Sequence, residues 1–253
     1  MHDAPIIEIG SLDINLSTIL MLLITSVIVF VLCMLATRNL SVENPSKLQN
    51  FMEWVVDFVH NLIGSALPLH KVKNYLGLGM TLILFIFIAN ILGLPLAIIS
   101  GHTGPVEIFG YVLKGSELAT VDNQAHFLWF KSPTADINVT IGLALVVFLI
   151  IHFLGLKENR KHYLQHYLQP YWFFLPLNII ENLAKPIALA IRLFANIFAG
   201  EVLISTILKI SWFGIPVLAA WQGFSIFIGA LQAFIFTILT MVYIGQATIH
   251  EEH

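Results

Sequence analysis

The chain has 253 residues, 58% of them apolar and 11% charged, with a formal net charge of −3 and a mean hydropathy of +0.86. Soluble domains carry roughly 25% charged residues, so a water-soluble class is excluded, and the near-balanced charge argues against nucleic acid as a partner. One cysteine, Cys33, excludes an internal disulfide framework and a thiolate metal cluster; no metal and no cofactor is expected.

Taken in chain order, residues 1–15 place no Lys or Arg before the first apolar run, and no small-residue cleavage pattern follows that run. The run at 16–36 is therefore read as a retained span rather than a signal peptide. Residues 48–67 differ. Gln49, Asn50, Glu53, Asp57, His60, Asn61 and Gly64 recur at spacings of three and four, and Leu48, Phe51, Met52, Val55, Phe58, Val59, Leu62 and Ile63 fill the other face. Such a helix, with Trp54 near the boundary, lies in the inner membrane interface or packs on a soluble partner. Residues 76–100 and 137–156 carry no formal charge and, at more than about 18 residues each, read as spans. The polar stretch 101–134 between them is an outer loop.

Two long runs close the chain, at 177–208 and 216–249. As helices they rise about 48 and 51 Å at 1.5 Å per residue, against a hydrocarbon core of about 30 Å. Ordinary tilts do not absorb that excess. Either the helices break, with Pro186 as the natural kink, or they lie steeply inclined as a hairpin turning near 209–216. Few polar residues interrupt them, which favours the hairpin. The expectation is an all-α polytopic membrane protein: one integral membrane domain over 1–253, five transmembrane helices and one interfacial amphipathic helix. With the N-terminus outside, Arg38, Lys47, Lys71, Lys73, Lys157, Arg160 and Lys161 fall inside, against Lys114, Lys131 and Lys209 outside. The positive-inside rule prefers that orientation, with the C-terminus inside.

Arg192 carries most of the functional information. Between 186 and 208 the only other charged residue is Glu201. A guanidinium stays protonated, and placing it at mid-bilayer costs about 2.5–3.5 kcal/mol on insertion scales, so it marks an ion or proton path by default. Ala188, Ala195 and Ala199, at −4, +3 and +7, share its face and let another backbone approach. Asn196 adds a polar group one turn on. Glu181, eleven residues back, falls on nearly the same face, whereas Glu201, nine residues on, falls on the opposite one. Two carboxylates on different faces and on either side of Arg192 suit two separate polar pockets. The last helix has a polar and small-residue stripe that includes Gln222, Ser225, Gly229, Gln232 and Thr240; packed against the Arg192 helix, Gln232 sits at mid-depth within reach of the guanidinium.

These residues resemble a family. Residues 176–204, PLNIIENLAKPIALAIRLFANIFAGEVLI, are similar to the signature of subunit a of F-type ATP synthases, with its Lys-Pro, Arg-Leu-Phe-x-Asn and Ala-Gly-Glu. SPTADINVTIGLAL at 132–145 resembles the opening of an earlier span in that family, and ALQAFIFTILTMVYI at 230–244 its C-terminal helix. The three stretches stand in family order and cover the chain from about 132 onward. The resemblance implies the stator half of a rotary proton path in a bacterial cell membrane, not catalytic on its own. Its partners would be the c-ring of the rotor, the peripheral-stalk subunit b, the remaining synthase subunits, the lipid bilayer and protons. It further implies that Arg192 is the essential arginine, Asn196 and Gln232 its polar partners and Glu201 an outer channel position; the orientation argued above puts Glu181 on the inner side. Some members carry a His or an acid where this chain has Ser225, so proton transfer there must use Glu201, water or another group.

Two other classes compete. An autonomous ion-coupled transporter or channel would show an inverted repeat and paired broken helices, and neither is evident. An intramembrane hydrolase would need a His-Glu-x-x-His helix or a Gly-x-Ser-x-Gly turn, and the sequence has neither. Copurification with a rotor ring and peripheral ATPase subunits separates the stator from the transporter.

Overall fold

A computed structural model describes residues 5–9, 12–93, 99–102, 106–108, 111–113, 125–128, 131–168, 172–207 and 214–248. Six helices dominate these residues: α1 (Leu16–Thr37), α2 (Lys47–Ala66), α3 (Leu69–Leu92), α4 (Ile137–Leu168), α5 (Leu175–Ile207) and α6 (Gly214–Thr248). All but α2 are long and apolar enough to cross a membrane, as the hydropathy pattern predicts. Three two-stranded antiparallel ribbons accompany them. β1 (Ile6–Ile9) pairs with β2 (Leu12–Asn15), β3 (Ile99–His102) with β6 (Ala125–Leu128), and β4 (Glu107–Ile108) with β5 (Tyr111–Val112). The stretch between α3 and α4 thus contains short sheet that polar composition alone does not reveal.

Local chemistry sets the helix ends. Asn15 caps α1, its side chain accepting from the Thr18 amide at 3.3 Å, and Ser46 caps α2 by accepting from Gln49 N at 3.1 Å. The buried Gln49 side chain turns back to the preceding loop, where its Oε1 accepts from Ser41 N and its Nε2 donates to Ser41 O. Asp136 does two jobs. Its Oδ1 accepts from Asn138 N at 2.9 Å and so caps α4, and its Oδ2 accepts from Thr18 Oγ1 at 3.0 Å, which ties the starts of α1 and α4 together.

Two spans differ in extent from their apolar runs. α3 begins at Leu69, directly after Pro68, and stops at Leu92, ahead of Gly93 and Pro95; proline disfavours helix in the residue before it and cannot donate inside one. α4 continues to Leu168, because its charged stretch after Leu156 is rich in good helix formers and a helix need not end where it leaves hydrocarbon. α5 runs unbroken through Pro186. The turn expected near 209–216 falls, up to residue 213, outside the described residues, as do Lys114, Lys209 and the C-terminal 251–253.

Two apolar clusters hold the bundle. Met52, Val55, Val59 and Ile63 of α2 pack on Val72 and Tyr75 of α3 and on Met241 and Ile244 of α6. α2 is therefore amphipathic with a docked face, and Phe51, Trp54 and Phe58 stay exposed beside the polar Glu53 and Asp57, the arrangement of a helix lying at an interface. The second cluster joins Leu82 and Ile86 of α3, Val147 of α4, Leu189 and Leu193 of α5, and Ala233 and Phe236 of α6. Exposed apolar side chains such as Leu23, Val27 and Phe30 ring the outside of α1, a surface suited to lipid.

Gly93 ends α3 against the segment before α4. A Cβ there would lie 2.6 Å from Ser132 N and 2.7 Å from Ser132 Cα, backbone atoms that cannot swing aside, whereas one on Gly142 meets nothing within 4 Å. Gly93→Ala should lower stability by about 1–3 kcal/mol, the usual cost of overpacking. Gly142→Ala should be neutral or stabilising by up to about 1 kcal/mol. Unfolding of each variant in detergent, followed by circular dichroism, checks the contrast.

Candidate functional site

α5 and α6 pack antiparallel in register. Lys185 Nζ lies 5.6 Å from the Tyr243 ring centroid, and Asn196 Nδ2 donates to Gln232 Oε1 at 2.8 Å, so an advance from 185 to 196 on one helix matches a retreat from 243 to 232 on the other. Leu189, Leu193 and Ile197 of α5 are buried. Ala188, Arg192, Ala195, Asn196 and Ala199 lie on its exposed side. Arg192 therefore projects away from the bundle. Among the described residues its guanidinium makes no ion pair.

Gln232 is 2% exposed and bonds Asn196, not the guanidinium reached for in the sequence reading. The register explains this: Asn196 is the α5 residue level with Gln232, while Arg192 lies one turn away and points outward. The Gln232 amide Nε2 has no partner among the described residues, and neither does Ser225 Oγ, on the same face of α6 and 8% exposed.

The two carboxylates part as the helix geometry requires. Glu181 lies on the exposed side of α5 and pairs with Lys185 at 3.3 Å. Glu201 turns to the other side, half-buried, and its Oε2 lies 3.6 Å from Lys131 Nζ. Lys131 and Ser132 were not among the residues singled out from the sequence for a role, although they immediately precede or open the Ser-Pro-Thr-Ala-Asp stretch. A helix-face argument sees only residues on one helix, and these come from an irregular segment.

Other polar groups meet at the opposite end of the bundle. Lys71 Nζ reaches Glu158 Oε2 at 2.6 Å and the Thr248 carbonyl at 3.1 Å, and Tyr75 Oη donates to Glu158 Oε1 at 3.0 Å. This group joins α3, α4 and the end of α6. Between the two polar ends the described core is apolar, with Leu193 and Phe236 fully buried at the depth of Arg192. No group of three His, Cys, Asp or Glu residues that could hold a metal ion occurs among the described residues. The arrangement can bind and release protons at separate carboxylates, and it presents a fixed cation to something outside the bundle.

The Asn196–Gln232 bond should show as a thermodynamic coupling. Interhelical hydrogen bonds in membrane proteins average about 0.6 kcal/mol and reach about 1.7, and a double-mutant cycle of Asn196→Ala and Gln232→Ala, read by unfolding in detergent, should fall in that range. Strict additivity would deny the contact.

A family model described as the ATP synthase A chain matches residues 19–245. The chain is 42% identical over 267 residues to the ATP synthase subunit a of Bacillus subtilis (strain 168), covering 99% of both sequences. It is 40% identical over 260 residues to that of Lysinibacillus sphaericus (strain C3-41), covering 100% of this chain and 99% of the relative. To that of Staphylococcus carnosus (strain TM300) it is 42% identical over 265 residues, with the same coverage. Matches of this extent leave one reading of the ancestry: the chain belongs to the ATP synthase A chain family.

Proposed function

We propose that the chain is the proton-translocating stator subunit of the membrane sector of a bacterial ATP synthase, not catalytic on its own, and that it forms two offset half-channels serving the carboxyls of a rotating c-ring. The observation that carries this reading is Arg192, a permanent cation on the exposed side of a long apolar helix with no ion pair among the described residues. Lipid cannot be its neighbour at low cost; a passing carboxylate can. A carboxyl carried through lipid is neutral, because its ionised form is expensive there. Beside Arg192 the ionised form is favoured, so the carboxyl gives up its proton to one half-channel, passes the arginine and is reprotonated from the other. The fixed cation prevents leak, since a proton cannot cross without the ring turning. The driving term is about 2.3 kcal/mol per charge per 100 mV.

Glu201 opens the outer half-channel and Glu181 the inner, with the N-terminus outside and the C-terminus in the cytoplasm. Along the axis they lie about 13.5 Å beyond and 16.5 Å before Arg192 at 1.5 Å per residue. Asn196 and Gln232 lead from the outer pocket to the arginine, and Ser225 sits on the same side. The peripheral-stalk subunit b and the remaining subunits hold the chain against rotation. The apolar cluster around Leu193 and Phe236 supports the scheme by closing the direct route through the bundle.

Arg192→Ala or Arg192→Gln should abolish proton-driven ATP synthesis while the complex still assembles, and Arg192→Lys should substitute poorly, because an ammonium is more strongly hydrated and loses its proton when buried. Near-normal coupled synthesis in the Ala variant would sink the proposal.

In a Cys33→Ser background, cysteines at 201 and 181 should react with aqueous thiol reagents from opposite faces of the membrane, and Glu201→Gln should slow synthesis-direction proton flux more than Glu181→Gln. Labelling of both from one side would remove the two-pocket scheme.

A further inference from the structure

The described residues include three Lys–Glu pairs, and water reaches them to different extents. Lys71 and Glu158 meet at 2.6 Å and lock α3 to α4. Lys185 and Glu181 stand 3.3 Å apart on successive turns of α5, with the Glu181 side chain 65% exposed. Lys131 and Glu201 come from different elements and lie 3.6 Å apart, with side chains 29% and 22% exposed. Water and salt screen an exposed pair, so the charge of Lys131 is felt at Glu201 more fully than that of Lys185 at Glu181. A contact of 3.6 Å is also longer than the about 2.7–2.9 Å of a charge-assisted hydrogen bond. Lys131 therefore acts on Glu201 through its charge and leaves the carboxyl oxygen open to a proton.

The backbone that carries Lys131 is pinned. Ser132, 1% exposed, donates from its Oγ to the Ala89 carbonyl at 2.9 Å, and the fully buried Thr134 donates to Asn90 Oδ1 at 2.7 Å. The Ala135 amide closes a tight turn on the Ser132 carbonyl at 3.0 Å, and Gly93 lets the end of α3 touch Ser132. The segment behind the ammonium is thus fixed to α3, while the carboxylate stands on α5. The ion pair joins two elements that other contacts already hold in place.

Few charges share this end of the bundle. α4, α6 and the turn at Pro133–Ala135 pack against α5. α6 has no titratable residue between Gly214 and Val242, α4 has none between Ile137 and Ile151, and the turn has none. Asp136, next after the turn, gives its carboxylate to Thr18 and to the Asn138 amide. On α5 itself Arg192 lies nine residues back and on the exposed side, about 13.5 Å away along the axis at 1.5 Å per residue. Among the described residues, Lys131 is the charge in contact with Glu201.

We propose that Lys131 sets the outer pH at which Glu201 takes up protons, and so tunes proton entry into the outer half-channel. The proposal rests on the proton-path reading above. Glu201 takes a proton from the outer side, becomes neutral, and returns to the carboxylate when it passes that proton inward; the Lys131 ammonium keeps its own proton throughout. A cation this close favours the ionised carboxyl. Glu201 therefore hands protons on readily and needs a more acidic outer side to fill. Without the cation the order reverses: the carboxyl fills at higher outer pH and releases more slowly. Lys131 is a positioning residue in this scheme, because it acts only through Glu201.

The test uses the complete synthase in proteoliposomes and reads ATP synthesis per assembled complex. The membrane potential and the pH on the catalytic side are held fixed while the outer pH is varied. Lys131→Gln should raise the outer pH of half-maximal rate by about one unit, the low end of the range for a charge partner, and should lower the maximal rate. Lys131→Arg, which keeps the cation, should stay at the parent midpoint. In a Glu201→Gln background, Lys131→Gln should move the midpoint no further. A second measurement works within one preparation and does not depend on how much complex assembles. In a Cys33→Ser background, Lys131→Cys should show the raised midpoint; coupling an aminoethylthio group, which rebuilds a lysine-like cation, should return it, and a neutral methylthio group should not. A lysine with only a structural role would change the amount of complex and leave the midpoint in place, which overturns the proposal. A parent midpoint in Lys131→Gln together with slowed flux in Glu201→Gln would overturn it and keep the proton path. Unchanged flux in Glu201→Gln would overturn the path through Glu201, and the proposal with it. Equal midpoints after the cationic and the neutral coupling would overturn the proposal on their own.

Discussion

A charge that must live at the depth of a lipid bilayer needs a counter-charge or water, and among the described residues Arg192 makes no ion pair. The insertion cost of about 2.5–3.5 kcal/mol is met by whatever lies against the exposed side of α5. The rest of the structure follows from keeping that side free. Leu189, Leu193 and Ile197 bury the opposite side of α5, and the antiparallel register with α6 places Gln232 against Asn196. On the proposed function, the guanidinium is left to a partner outside the chain.

The same desolvation rule arranges the two ends. At one end Asp136 ties α1 to α4, Gly93 lets the end of α3 touch Ser132, and Lys131 faces Glu201. At the other, Lys71, Tyr75 and Glu158 join α3 and α4 to the Thr248 carbonyl at the end of α6. The groups at the two ends are built from different sets of residues with an apolar core between them. On the proposed function, a bundle arranged this way exchanges protons with water at separate places and makes the transfer between them depend on an external carrier.

Much of this was legible in the sequence because hydrophobic period and charge are one-dimensional signals. Five spans, an amphipathic α2 and two long final helices follow from them, as does the separation of Glu181 and Glu201 onto different faces, which is arithmetic on a 3.6-residue turn. What the sequence hid depends on neighbours from other elements. Gln232 finds Asn196 because of an interhelical register no single helix encodes. Asn90 looks like an isolated polar residue in an apolar run until Thr134 and Gly229 are seen on either side. Lys131 lies in an irregular segment whose path no periodicity describes. The α4 helix outlasts its apolar run because propensity, not hydropathy, decides where a helix ends beyond the membrane.

The central claim is that the exposed side of α5 around Arg192 faces the rotor carboxyls. Its most direct test is proximity rather than activity. In the assembled complex, with Cys33→Ser and a cysteine placed beside the ring carboxyl, Ala195→Cys, on the exposed side, should form a disulfide with the ring under mild oxidation. Ala190→Cys, 2% exposed against the bundle, should not. A cross-link from Ala190→Cys with none from Ala195→Cys would place the ring on the wrong side of α5 and contradict the account.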